Sequence, residues 1–123
     1  MTTKKTRTTA TDLLPLVWDV LKKAKKGRGQ YAFLTAYQIL AELPREVTAK
    51  LIEEYGPAAG GVGNRFGAAG PVAAAGVMLE RQKNKDVEIT FLDTRGMHID
   101  IPVQGEPVEP AGPTLGLYRL KKK

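Results

Sequence analysis

The chain has 123 residues, a formal net charge of +6 and 42% hydrophobic residues, and it lacks cysteine and serine. This length fits one domain with a hydrophobic core. Without cysteine, disulfides and thiolate metal sites are excluded. The absence of both serine and cysteine also excludes a Ser-His or Cys-His nucleophile. With His98 as the sole histidine, a multi-histidine metal site is excluded too. We therefore predict a protein that is not an enzyme and carries neither a metal nor a cofactor.

The charge is distributed unevenly along the sequence. Residues 1–29 carry a net charge of +6, residues 30–118 carry −4, and residues 119–123 carry +4. Basic ends are typical of arms that contact polyanions, although charged ends also keep a small protein soluble. No stretch of 18 apolar residues could span a membrane, and the N-terminal residues lack the apolar segment of a signal peptide. We therefore expect a cytoplasmic protein that does not bind membranes.

The N-terminal third predicts a basic arm followed by a helix. Residues 1–10 have no apolar anchor beyond Met1, so they are expected to form a disordered arm. The helix should begin at Thr11 or Asp12, which can cap it, and Pro15 is tolerated in its first turn. The cations of residues 22–26 favour the end of a helix, where Gly27 can adopt the left-handed cap. The expected buried positions follow helical spacing, at Leu14, Val17, Trp18 and Leu21, and the stripe is widened by Leu13, Leu16 and Val20.

Two further helices follow a short strand that is predicted over residues 29–34. Thr35 and Gln38 have the spacing of a capping box, which predicts a helix over residues 36–43. Pro44 ends that helix and suits the first turn of the next one, over residues 44–55. That helix should bury Val47, Leu51 and Tyr55.

The glycine-rich segment, residues 56–71, resembles a phosphate-binding loop only superficially. Gly61 and Gly63 fit the first two positions of G-x-G-x-x-G, but Phe66 occupies the third, and the segment follows a helix instead of a strand. A flexible surface loop is the favoured interpretation. A fourth helix is predicted over residues 70–83, and its small buried residues allow close backbone approach within the chain or in a homodimer. Those residues are Val72, Ala75, Gly76 and Leu79.

Residues 87–103 alternate between apolar and polar side chains and predict a β-hairpin. A four-residue loop would pair apolar with polar residues, whereas a three-residue loop over 94–96 places Phe91 opposite Ile99 and Ile89 opposite Ile101. The second register is favoured because Gly96 can supply the left-handed residue that it needs. Residues 104–114 are predicted to be a loop, residues 115–120 a last strand, and residues 121–123 a basic tail.

This element order resembles a winged-helix DNA-binding domain, of the kind found in transcriptional regulators. The resemblance rests on the helix at 12–26, the strand at 29–34, the capped helix LTAYQILAELP and the hairpin VEITFLDTRGMHIDI as the wing. It implies an α+β fold in which one globular domain, residues 11–120, combines a bundle of about four helices with a C-terminal β-hairpin. A winged helix has three helices before the wing, so either helix 44–55 or helix 70–83 would be presented to DNA.

The resemblance and the basic ends together predict a nucleic-acid-binding protein, with DNA as the expected partner. Contacts to phosphates should dominate over base reading. The alternative is a homodimeric protein-interaction or assembly module, favoured by the acidic middle and by the small residues of helix 70–83. Cations that shared one face would support the first hypothesis, and scattered cations would weaken it. The candidate nucleic-acid-binding residues are Lys22, Lys23, Lys25, Lys26, Arg28, Arg45, Lys50, Asn64, Arg65, Lys83, Lys85 and Arg95.

Overall fold

Four helices and five strands make up the part of the chain that the computed structural model describes, namely residues 8–24, 31–58, 67–82, 86–110 and 114–121. In chain order they are α1 (Ala10–Lys23), β1 (Leu34–Thr35), α2 (Ala36–Glu42), α3 (Arg45–Tyr55), α4 (Ala69–Arg81), β2 (Val87–Asp93), β3 (Ile101–Val103), β4 (Glu106–Val108) and β5 (Thr114–Leu120). The predicted α+β class is confirmed, and so is the expected number of helices for the described residues. Most of the predicted arm, the Gly27 cap and residues 59–66 of the glycine-rich segment lie outside the described residues.

Helix α1 begins earlier than predicted, because its cap is Thr9 and not Thr11 or Asp12. The Asp12 N–H donates to the Thr9 hydroxyl at 3.3 Å, and the Thr9 N–H donates to the Asp12 carboxylate at 2.9 Å. Thr8 is also held, since its N–H donates to Glu54 Oε1 at 2.9 Å and its carbonyl accepts the Tyr55 hydroxyl at 2.5 Å. Residues 8–10, which were assigned to the arm, therefore belong to the folded part.

The buried side of α1 is narrower than the predicted stripe. Leu13, Val17 and Leu21 are fully buried, whereas Leu14 and Trp18 are only partly buried against the core. Apolar residues occupy most positions between 13 and 21, so helical spacing alone allows more than one buried stripe. Packing against α4 selects the stripe that contains Leu13.

The predicted start of α2 is confirmed. The Thr35 hydroxyl accepts the Gln38 N–H at 3.1 Å, and the Gln38 side chain accepts the Thr35 N–H at 2.8 Å. Helix α3 follows Pro44 as predicted, and its buried Thr48 donates a hydrogen bond from its hydroxyl to the Leu40 carbonyl at 2.8 Å. This bond fixes α3 to α2 through a polar group that has no access to water.

Helix α4 buries the small face that its sequence predicts. Ala69, Val72, Ala75, Gly76 and Leu79 are its buried residues. Gly76 lies directly against the ring of Tyr118, because a Cβ added to Gly76 would be only 2.6 Å from two carbons of that ring. Close approach of the α4 backbone to the sheet is therefore confirmed within the chain.

The predicted hairpin over residues 87–103 is wrong. The sheet has the order β1–β5–β2, and β2 pairs antiparallel with β5, so that Phe91 lies opposite Gly116 and Ile89 opposite Tyr118. The last strand is thus confirmed but lies in the middle of the sheet. The predicted strand over 29–34 is reduced to β1, which pairs with β5 on its other side.

Residues 101–108 form a separate hairpin. Strands β3 and β4 pair around Gln104 and Gly105, both of which have positive φ, of 51° and 80°. Ile101 and Val103 are buried, and β3 contacts α2 instead of β2. The alternation that suggested pairing with β2 therefore reflects burial on α2, and the predicted loop over 104–114 contains strand β4.

The turn after β2 confirms one detail of the prediction. Gly96 has a φ of +77°, and the Met97 N–H donates to the Thr94 carbonyl at 3.0 Å. This turn leads from β2 to the β3–β4 hairpin and not to a paired strand.

Candidate nucleic-acid interface

One end of the domain collects the ends of several elements. The carbonyl of Ala24, which follows α1, accepts a hydrogen bond from the Ala32 N–H at 2.6 Å, just before β1. Strand β1 lies beside β5, and the end of β5 lies beside the start of β2, where the Lys121 N–H donates to the Asp86 carbonyl at 2.6 Å. A short link joins the end of α4 to the same start of β2. Helices α1 and α4 and strand β5 therefore all finish at this end.

Cations occupy the last residues of these three elements. We call this set the basic end, and it consists of Lys22, Lys23, Arg81, Arg119 and Lys121. All except Arg119 are exposed to solvent. Cations at the C-terminal ends of helices are favoured by the helix dipole, so the fold itself stabilises part of this arrangement.

Two members of the basic end have partners. Lys22 Nζ lies 3.6 Å from Asp19 Oδ1 and 6.0 Å from the centre of the Trp18 ring. The Arg119 guanidinium donates to the Glu88 carboxylate and lies over the Phe33 ring at 4.1 Å. This stacking holds Arg119 in place, since a guanidinium is attracted to the face of an aromatic ring.

The other three members are open to an added anion. Among the described residues, no ion pair involves Lys23, Arg81 or Lys121. Charges of this kind can meet an external phosphate without first losing a carboxylate partner. The predicted residues Lys25, Lys26, Arg28, Lys83 and Lys85 lie outside the described residues, but Ala24, Gln82 and Asp86, which border these segments, belong to this end of the domain.

Arg95 lies far from the basic end. It follows β2 at the opposite end of the seven-residue strand, so about 20 Å separates it from the start of that strand. Its guanidinium donates to both carboxylate oxygens of Asp93, at distances between 2.7 and 3.1 Å. These hydrogen bonds lower the pKa of Asp93 and raise that of Arg95. Of the predicted cations, Arg95 is therefore neutralised locally and does not share a face with Lys22 and Lys23.

The predicted residues of α3 form a third location. Arg45 borders a groove between α2, α3 and the turn at Gln104 and Gly105. Hydrogen bonds with Thr9 lower the pKa of Asp12 at the start of α1, and the charge of Lys50 contributes to the same shift. The candidates Asn64 and Arg65 lie outside the described residues.

The solvent side of α4 has little capacity to read bases. It presents Ala74, with Val77 and Met78 partly exposed beside it, and its charged residues come only in the last turn. Base edges are read mainly by arginine, lysine, asparagine or glutamine. Recognition through α4 would therefore depend on contacts other than direct base reading.

The charge of the described residues is opposite in sign to that of the whole chain. They include all thirteen acidic residues but only eight of the nineteen lysines and arginines, which gives them a net charge of −5. A polyanion would therefore be repelled by most of the described surface and accepted where cations are concentrated.

An apolar cleft beside Phe91 is a feature that the sequence analysis missed. The cleft has a volume of about 330 Å³ and lies between α2, the first turns of α4, and strands β2 and β5. Phe91 is 69% exposed at its border. The sequence feature that could have indicated this cleft is the run of Ala and Gly at the start of α4, because small side chains leave room above a sheet.

His98 and Asp100 form an exposed pair, with 3.0 Å between His98 Nε2 and Asp100 Oδ2. Both residues lie in the segment between β2 and β3, and not in the second strand of the hairpin that the sequence predicts over residues 87–103. No cluster of three or more potential metal ligands occurs among the described residues.

Comparison of the chain with family models, curated proteins and solved structures found no match. Within the described residues, no helix is both long and apolar enough to cross a membrane. Functional inference therefore depends on the charges and surfaces described above.

Proposed function

We propose that the chain is a small nucleic-acid-binding domain of the winged-helix type, which holds DNA mainly through its phosphate backbone. The order of elements supports the resemblance: a helix, a short strand and further helices precede an antiparallel pair of strands. The long pair β2–β5 takes the part of the wing, in place of the hairpin expected from the sequence. Helix α4, which directly precedes β2, takes the part of the presented helix, and α3 is then the additional one.

The observation that carries the proposal is the convergence of cations at the basic end. Five of the eight described cations lie there, and three of these have no ion pair with a described residue. Phosphate groups are attracted to such a cluster in any sequence context, and each neutralised phosphate releases counterions. The solvent side of α4 is consistent with the same interpretation, because before its last turn it offers no side chain of the kind that reads bases, which leaves the phosphate backbone as the expected site of contact.

The test is the salt dependence of binding to a fluorescein-labelled DNA duplex, measured by fluorescence anisotropy on the full chain. Replacing Lys23, Arg81 and Lys121 together by alanine should weaken binding and reduce the slope of log affinity against log salt concentration by up to about 2.7, since each lost phosphate contact contributes about 0.9. A matched control replaces Arg45, Lys50 and Arg95 by alanine. It removes the same charge from two other regions and should leave the slope nearly unchanged.

Each outcome bears on the proposal. Wild-type protein without salt-sensitive binding to duplex DNA, single-stranded DNA or RNA would refute nucleic-acid binding. An equal loss of slope in both triple variants would refute the basic end as the interface, because binding would then follow net charge alone. Preference for RNA over DNA would keep the basic end but replace the expected partner.

A further inference from the structure

Arg119 points to the side of the sheet that faces away from helix α4. Its neighbour Tyr118 packs against Gly76 of α4, and successive side chains of a strand point to opposite faces. The cross-strand partner of Arg119 is Glu88, and the ring of Phe33 lies on the same side. Phe33, Arg119 and Glu88 therefore form one row across the outer face of the sheet.

The guanidinium of Arg119 is held in a defined plane by this row. Its Nε–H donates to the Glu88 carboxylate, which therefore lies at the edge of the guanidinium. The Phe33 ring covers one face, with its centre 4.1 Å from the guanidinium carbon. The Arg119 side chain is still 38% exposed, and the second face of the guanidinium is the one that neither of these partners covers.

A planar group presented in this way matches the flat face of a nucleic-acid base. Proteins bind unpaired bases by stacking them on aromatic rings and on arginine guanidinium planes. The Glu88 carboxylate already balances the charge of Arg119, so this residue offers a flat surface more than a free cation. The row is therefore better suited to a base than to a further phosphate.

The neighbouring cations favour an anionic polymer at the same place. Lys121 follows Arg119 by two residues, and its N–H donates to the Asp86 carbonyl at 2.6 Å, which continues the ladder between β2 and β5. In an extended strand this spacing puts both side chains on one face. A nucleotide strand offers both groups that this face can bind, a base for the guanidinium plane and a phosphate for the lysine.

We propose that the basic end holds an unpaired base of single-stranded DNA against the Arg119 guanidinium, while the neighbouring cations hold the phosphates. The inference rests on the proposed function, since it needs the phosphate contacts of the basic end, and it adds the form of DNA that is bound. In a duplex the flat faces of the bases are covered by the neighbouring base pairs. Only an unpaired or terminal base can therefore stack on Arg119.

The test compares two fluorescein-labelled single strands of about twelve nucleotides, one of thymidines and one of abasic sites, by fluorescence anisotropy on the full chain. Both strands carry the same phosphates, so phosphate contacts alone would give equal affinities. The wild-type chain should bind the thymidine strand about tenfold more tightly, as expected for one stacked base. Replacing Lys23, Arg81 and Lys121 by alanine should instead weaken binding of both strands equally.

Two variants remove the stacking surface and keep the phosphate contacts. Arg119→Lys keeps the charge but lacks the plane, and Phe33→Leu keeps an apolar side chain but lacks the ring that holds the plane. Both should bring the affinity ratio of the two strands close to one and leave binding of the abasic strand unchanged. Phe91→Leu is the matched control, since Phe91 is 69% exposed but borders the cleft on the α4 side of the sheet. It should keep the tenfold ratio, and thermal melts by circular dichroism confirm that all three variants fold.

Four results would overturn the inference. Equal, salt-sensitive binding of both strands by the wild-type chain would do so and would leave phosphate binding by the basic end intact. A tenfold ratio that survives in Arg119→Lys and Phe33→Leu, or one that is lost in Phe91→Leu, would mean that the base is held elsewhere. Absence of salt-sensitive binding to either strand would refute the proposed function, and this inference with it.

Discussion

The contact between α4 and the sheet can be tested by replacing Gly76 with alanine. A Cβ at this position would lie 2.6 Å from Cδ1 and from Cε1 of Tyr118, about 1 Å closer than ordinary van der Waals contact. Tyr118 cannot turn away easily, because it is 5% exposed and belongs to the central strand of the sheet. The helix, the strand or the ring must therefore shift.

Two opposing effects set the expected magnitude. Alanine is favoured over glycine within a helix by about 1 kcal/mol, whereas overpacking of a core costs about 1–3 kcal/mol. We expect the steric effect to dominate, so that Gly76→Ala lowers the free energy of unfolding by about 1 kcal/mol. Urea denaturation followed by circular dichroism measures this quantity directly.

A double-mutant cycle separates the two effects. Tyr118→Leu removes the ring, and Gly76→Ala in that background should become neutral or stabilising by up to about 1 kcal/mol. Ala74→Gly, at an exposed position of the same helix, gives the helix propensity alone and should cost about 1 kcal/mol. If Gly76→Ala stabilises the wild-type chain by the full propensity difference, the close contact with Tyr118 is refuted.

Two further predictions concern the cap of α2 and the titration of the core. Thr35→Ala should lower the free energy of unfolding by about 1–2 kcal/mol in denaturant, because the Gln38 N–H loses the hydroxyl of buried Thr35 as its acceptor. Thr11→Ala at an exposed site should cost much less, and equal losses would contradict the capping role. Burial raises the pKa of Tyr118. The contribution of this shift to the free energy of unfolding is fully present below about pH 10, where the unfolded tyrosine is still neutral, and it is lost as the pH rises through the higher pKa of the folded state. Tyr118→Phe should make stability less sensitive to alkali in melts at increasing pH, and an unchanged pH profile would contradict this account.

Local patterns in the sequence predicted the helices well because their causes are local. The capping box at Thr35 and Gln38 and the small face around Gly76 depend on residues within one or two turns of each other. The predicted start of α1 is too late because Asp12 is not itself the cap: at the third helical position an aspartate closes a capping box with Thr9, as a glutamate would.

The pairing of strands could not be predicted in the same way. Ile89 would lie opposite an apolar residue in either arrangement, Ile101 in the predicted hairpin or Tyr118 in the observed sheet. The alternating pattern is therefore compatible with two partner strands. What decides between them is packing between distant segments: Tyr118 fills the space over Gly76, and Ile101 is buried on the α2 side. Neither contact has a signal in the local sequence.

In the candidate sites, too, features set by nearby residues could be predicted, whereas features set by packing between distant segments could not. Lys22 and Lys23 could be recognised as part of a basic cluster from the sequence, but the position of Arg81 and Lys121 at the same end of the domain could not, because the directions of α4 and β5 were unknown. Arg95 was identified as a turn residue correctly, yet its pairing with Asp93 two positions earlier was not foreseen. The exposure of Phe91 could not be inferred either. Alternation of apolar and polar residues predicts which side chains share one face of a strand, but not which other segments cover that face.

The stacking of Tyr118 on Gly76 also gives the molecule an internal spectroscopic reporter. A proton held against the face of an aromatic ring experiences the magnetic field of the ring's circulating electrons, which moves its resonance upfield. One of the two Gly76 α-protons points in the direction of an added Cβ, and therefore towards the Tyr118 ring. Its chemical shift should therefore register any change in the distance between helix α4 and the sheet, without an attached label.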